Sequence, residues 1–123
     1  FFSLIEELKI TCNKDINFHY HIECDLKSED AIYCGLIINE LVSNSLKHAF
    51  LDKGDIRISL RQEQNQFKLQ IKDNGIGYSI KTSTDSLGLL IVQTLVEQQL
   101  DGAMSISSNN GVQNHIEWKN KNE

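Results

Sequence analysis

The sequence predicts an α+β fold, a two-layer sandwich in which one mixed, mostly antiparallel β-sheet is covered on one face by helices. Three observations predict it: segments of strict apolar/polar alternation, two longer segments with helical spacing, and their order along the chain, β, α, β, β, loop, α, β, β. At 123 residues, 40% hydrophobic and 24% charged, the chain is sized for one domain around one core.

Taken in order, Phe1, Leu4, Ile5, Leu8 and Ile10 recur near helical spacing. Residues 1–15 therefore read as the end of a helix entering from an upstream segment, and residues 16–123 as the domain proper. The opening Phe1-Phe2, with no initiator Met and no signal-peptide pattern, fits an excised fragment. Ile16, Phe18, Tyr20 and Ile22 alternate as in a half-buried strand, with His19 and His21 on the other face. Ser28, followed by Glu29 and Asp30, predicts a helix start with Ser28 as the capping hydroxyl and two carboxylates at the positive end of the dipole. That helix is expected to run to about Phe50. Ile56, Ile58, Leu60 and Phe67, Leu69, Ile71, separated by a polar stretch at 63–65, predict a hairpin. Residues 73–86 are rich in Gly, Ser, Thr and Asp, and lead into a second helix from about Leu87 to Leu100, closed by Asp101-Gly102. Two short strands near 103–107 and 112–118 complete the sheet.

Composition excludes several function classes. A net charge of −5 without a Lys/Arg cluster argues against general affinity for nucleic acid or for a membrane surface, and no apolar run reaches the length of a membrane span. Cys12, Cys24 and Cys34 are odd in number and lack C-x-x-C spacing, which fits reduced, partly buried thiols in a cytoplasmic protein.

The first long helix carries the densest chemistry. At 100° per residue, Ala31, Gly35, Ile38, Val42, Leu46 and Ala49 share one side, expected to face the sheet. Glu40, Asn44, Lys47 and His48 follow i, i+4, i+7, i+8 spacing and form a polar stripe on the other side, bordered by Leu36, Ile37 and Leu41. Apolar borders suit a cleft, and Glu, Asn and Lys together suit Mg-nucleotide chemistry: an amide oxygen for Mg2+, an ammonium for phosphate, a carboxylate for a proton. The stripe alone equally fits a solvated face held by i, i+4 pairs.

Asp73-Asn74-Gly75-Ile76-Gly77 follows a strand directly. Such a segment commonly makes a tight hairpin turn, yet residues 78–85 show no returning strand. An aspartate at the strand end suits a purine amino group, and Gly75 and Gly77 allow the backbone close to a flat ring. Ser86-Leu87-Gly88-Leu89 then opens the second helix, where free amides and the dipole favour an anion; helix packing explains Gly88 as well.

Residues 39–50 (NELVSNSLKHAF), 73–77 (DNGIG) and 86–89 (SLGL), in that order and spacing, resemble the N, G1 and G2 boxes of histidine kinase ATP-binding domains. The wider resemblance, over about Ile16 to Trp118, is to the superfamily of DNA gyrase, the mismatch-repair ATPases and the heat-shock chaperones, with the Bergerat-type fold and ATP between sheet and helices. The compact second box looks most like the short-lid sensor kinases. The resemblance implies ATP and Mg2+ as cofactors, Asn44 as Mg2+ ligand, Glu40 as base or polariser, Lys47 on phosphate and His48 beside the nucleotide. It further implies Asp73 on the adenine amino group, Gly75 and Gly77 around the base, Ser86, Leu87, Gly88 and the Leu89 amide around the phosphates, and residues 78–85 as the ATP lid. The sequence departs from the pattern at Ser86, where the second box usually opens with glycine, at Val112, where a threonine is usual after Gly111, and in having no recognisable phenylalanine box.

His19 and His21 fall on a strand, His48 in the cleft and His115 on the last strand, so the phosphoacceptor histidine is expected upstream. The implied partners are an upstream dimerisation and phosphoacceptor domain, homodimeric in the full-length protein, and a response-regulator receiver domain. Two rival readings remain open on sequence: a protein-serine kinase of the anti-sigma-factor type, and a degenerate docking module.

Overall fold

The computed structural model describes residues 15–46, 53–74, 83–108 and 111–121; the entering helix expected before residue 15 lies outside them. The elements are β1 (Asp15–Ile22), α1 (Ser28–Asn44), β2 (Lys53–Glu63), β3 (Gln66–Asp73), α2 (Ser83–Thr94, continued in wider π-type turns over Leu95–Gln99), β4 (Ala103–Ser108) and β5 (Val112–Lys119). The sheet runs β1-β2-β3-β5-β4. β1 pairs with β2 in parallel, and the other pairings are antiparallel. A parallel pair needs a crossover connection, and α1 lies within it. The expected mixed, helix-covered sheet is therefore present.

Alternation decides which residues meet the helices. In β3, Phe67, Leu69, Ile71 and Asp73 are buried, and in β5 Val112, Asn114, Ile116 and Trp118. Register aligns them in rows: Ile58 lies opposite Ile71 and Ile71 opposite Asn114, while Leu60, Leu69 and Ile116 form the next row. Cys34, Ile37, Ile38, Leu41 and Val42 of α1 close over this surface, joined by Val92 and Val96. Each fully buried large aliphatic contributes about 1.5–3 kcal/mol. Trp118 packs on Phe67 with ring centroids 5.5 Å apart, and its Nε1–H donates to Asp30 Oδ2 at 3.3 Å, which fixes the start of α1 against β5.

Three local expectations are corrected. Ser28 is the first helical residue rather than the cap; Lys27 holds the capping position in extended backbone without a side-chain cap bond, and the first turn closes through the Ala31 N–H on the Lys27 carbonyl at 2.9 Å. Glu29 and Asp30 do occupy the first turn. The buried arc of α1 is also wider than the stripe drawn from Ala31 to Leu46. Ile37 and Leu41, expected at its border, are fully buried because α1 packs against α2 as well as the sheet, whereas Leu36 is exposed. Finally, α2 begins at Ser83, about four residues before the expected start.

Cys34 is deep under α1, and burial pushes its thiol up to about 12. Cys24 and Cys34 are both free thiols, and Cys12 lies outside the described residues. No helix among the described residues is long and apolar enough to cross a membrane.

Candidate functional site

The site forms where β3 ends beneath the C-terminal end of α1. Alternation turns Asp73 inward as the last buried residue of β3, leaving only 2% of it exposed. A carboxylate there is costly unless hydrogen bonds replace its water. Two do: Ser45 Oγ–H donates to Oδ2 at 2.7 Å, and the Val112 backbone N–H donates to Oδ1 at 2.9 Å. A carboxylate retains acceptor capacity beyond two donors. Gly111 makes the second bond possible. Its φ is +113°, and a Cβ there would overlap the Asp73 carbonyl oxygen, so only glycine lets the start of β5 lie against the end of β3.

Asn74 turns the other way. Its Oδ1 accepts from the Asp55 N–H at 2.8 Å and its Nδ2 donates to Asp55 Oδ2 at 2.9 Å, while His19 Nε2 meets Asp55 Oδ1 at 3.1 Å. These bonds, the one from His19 foremost, hold the Asp55 carboxyl below the usual carboxylate range. The Asp73-Asn74 pair is thus clamped from both faces of the sheet, and the hairpin-turn reading of this segment does not apply to its first two residues.

Asn44 is only 3% exposed, and its Nδ2 finds no hydrogen-bond partner among the described residues. An unmade bond at a buried amide costs about 1–3 kcal/mol. One turn earlier, Glu40 is half-buried, and its carboxylate lies against Gly88 of α2, where a Cβ would overlap Glu40 Oε1. The structure therefore brings together Glu40, Asn44, Asp73 and Gly88. Leu89 packs against the core, whereas Leu87 is exposed. With α2 starting at Ser83, the amides that a helix leaves unbonded belong to the first turn, N-terminal to Gly88. Residues 83–85 of the expected lid are helical, and Ser86 lies inside that first stretch of helix. Lys47, His48, Gly75 and Gly77 lie outside the described residues.

Sequence reasoning missed Ser45 and the Val112 amide as the groups that hold Asp73. Ser45 carried a signal, since it is a polar residue on the arc of α1 that also presents Cys34 and Leu41. The Val112 contact spans 39 residues and is made by backbone, so no side-chain pattern announces it.

An orphaned amide N–H on Asn44, one residue before the Ser45 that holds a buried carboxylate, suits a ligand that offers both a hydrogen-bond acceptor and a donor. The family model of histidine kinase-, DNA gyrase B- and HSP90-like ATPases matches residues 29–122. The chain belongs to this ATPase family. It is 35% identical over 88 residues, 66% of its length, to the sensor histidine kinase PdtaS of Mycobacterium tuberculosis. It is 31% identical over 105 residues, 75% of its length, to the sensor protein LytS of Staphylococcus epidermidis. The chain spans 17% of each of these relatives. The histidine kinase domain of the Erythrobacter litoralis EL346 blue-light activated histidine kinase shares the fold, with a TM-score of 0.78 at 24% identity over 95% of this chain and 56% of that one. As a member of this family, the domain has ATP as its nucleotide.

Proposed function

We propose that the chain is the catalytic domain of a two-component sensor histidine kinase, which holds Mg-ATP and presents its γ-phosphoryl to a histidine on an upstream dimerisation domain. The observation that carries this reading is the buried Asp73, held by Ser45 and Val112, next to the orphaned amide of Asn44. Asp73 accepts the exocyclic amino group of adenine, with Gly75 and Gly77 shaping the pocket around the ring and His48 beside it. Asn44 offers its amide oxygen to Mg2+ and its Nδ2–H to a phosphate oxygen. Bound Mg2+ would neutralise phosphate charge and orient the chain of phosphates. Lys47 adds an ammonium to the same phosphates, and the first turns of α2, with Ser86, Leu87, Gly88 and Leu89, line their other side. Glu40 stands one turn from Asn44 and serves as base or polariser for the attacking imidazole.

Leu87, Leu90 and Ile91 are 66%, 56% and 51% exposed on α2, at i, i+3, i+4 spacing. An apolar stripe at that spacing fits helix-on-helix docking, and the occupant proposed is the upstream dimerisation helices of the same protein. A response-regulator receiver domain would then take the phosphoryl group, in the cytoplasm. The test uses a longer protein that includes the upstream helices: Glu40→Gln should bind ATP like the parent while autophosphorylating at least 100-fold more slowly. Autophosphorylation at the parental rate would remove Glu40 from the chemistry.

A further inference from the structure

Asn114 has no role in the site so far, yet it is the most anomalous polar residue of the core. It lies on the inward face of β5, is 1% exposed, and neither its Oδ1 nor its Nδ2 has a hydrogen-bond partner among the described residues. Its immediate neighbours across the sheet are apolar, Ile71 on one side and Ile106 on the other. An amide placed there forfeits its hydration at both atoms, and leucine would fill nearly the same volume without that loss.

Register shows where such an amide can be used. The Lys72–Gln113 pair precedes Asp73 and follows Val112, so Asp73 stands beside Val112 on the inward face, bonded to its amide. Asn114, two residues along β5 from Val112, is then the diagonal neighbour of Asp73, a relation that spans about 7–8 Å between backbones and lies within reach of side chains. Asn114 is thus an unpartnered amide diagonal to a buried carboxylate that Ser45 holds from α1, and Asn44, the chain neighbour of Ser45, carries the other orphaned amide N–H.

We propose that Asn114 is a second base-selecting residue of this nucleotide site: its amide N–H supplies the ring nitrogen next to the exocyclic amino group that Asp73 accepts, directly or through one bridging water. The inference rests on the ATP reading above and deepens it. A purine edge that offers an N–H donor beside a nitrogen acceptor is complemented by a carboxylate and an amide donor side by side. An aspartate alone reads only the first half of that edge.

The test compares ATP with 1-deaza-ATP, which lacks only that ring nitrogen, by calorimetry on the parent and on Asn114→Leu. The parent should prefer ATP by about five- to tenfold. In Asn114→Leu, ATP should weaken to the level of 1-deaza-ATP and the preference should fall to about one, with the melting temperature of the nucleotide-free protein unchanged or higher. A variant that keeps the parental preference overturns the proposal, as does one that melts far below the parent while its ATP affinity holds. If Asn114→Leu fails to fold, the parent alone decides, since equal affinity for the two nucleotides overturns the assignment. Failure of the parent to bind either nucleotide at millimolar concentration would instead overturn the nucleotide reading itself.

Discussion

Along the middle of α1, Cys34, Ile37 and Ile38 are buried in the core, while at its C-terminal end Asn44 and Ser45 are buried as deeply. The first group needs nothing beyond the hydrophobic effect to explain it. At the other end, burial opposes folding: Ser45 recovers the loss by bonding Asp73, while the Nδ2 of Asn44 has no partner among the described residues. Equal burial on one helix thus separates residues that hold the fold from residues the fold tolerates for another purpose.

The sharpest way to break this contrast is at Val42, fully buried between the two groups. Val42→Asp should cost about 4 kcal/mol or more by burying an unpaired carboxylate, and should abolish the cooperative melting transition. A folded Val42→Asp protein would mean that the apolar half of α1 does not carry the stability assigned to it.

Asp73→Asn should act mainly on the ligand. The Ser45 hydroxyl can turn to accept from the new amide, so the fold should lose only about 1 kcal/mol, whereas ATP affinity should fall at least tenfold. Guanine nucleotides should show no parallel loss in the same titration. Unchanged ATP affinity would place Asp73 on the structural side of the comparison.

The smallest effect is expected on the opposite face of the sheet. The Asp55 carboxyl, lowered chiefly by its bond from His19, adds stability that is present above its unbonded value of 3.8 and is lost as pH falls through the lowered folded value. Asp55→Asn should therefore flatten the acid limb of the melting-temperature profile below about pH 4 and leave nucleotide binding at neutral pH intact. A parental acid limb in that variant would contradict the role of the His19 bond.

Much of this was legible in the sequence, for local reasons. Alternation through Phe67, Leu69 and Ile71 already carries Asp73 to the inward face, and the same rule applied to Val112, Ile116 and Trp118 buries Asn114. What escaped depends on distant partners. The buried arc of α1 is widened by α2, a second packing partner that spacing along one helix does not contain. The cap failed at Ser28 because helical backbone begins there, one residue too late for its hydroxyl to serve as the cap. The clamp on Asp73 joins α1, β3 and β5 and exists only once the sheet is assembled.

The most direct measurement is a pair of titrations of ATP, with and without Mg2+, into the parent domain and into Asn44→Leu, alongside their melting temperatures. The parent should bind Mg-ATP with a Kd on the order of 10–100 μM. Asn44→Leu should lose the Mg2+-dependent part of that affinity while melting at the parental temperature or a few degrees above it, because the orphaned amide is gone. A variant that melts lower and binds Mg-ATP like the parent would show that Asn44 serves the fold and not the nucleotide.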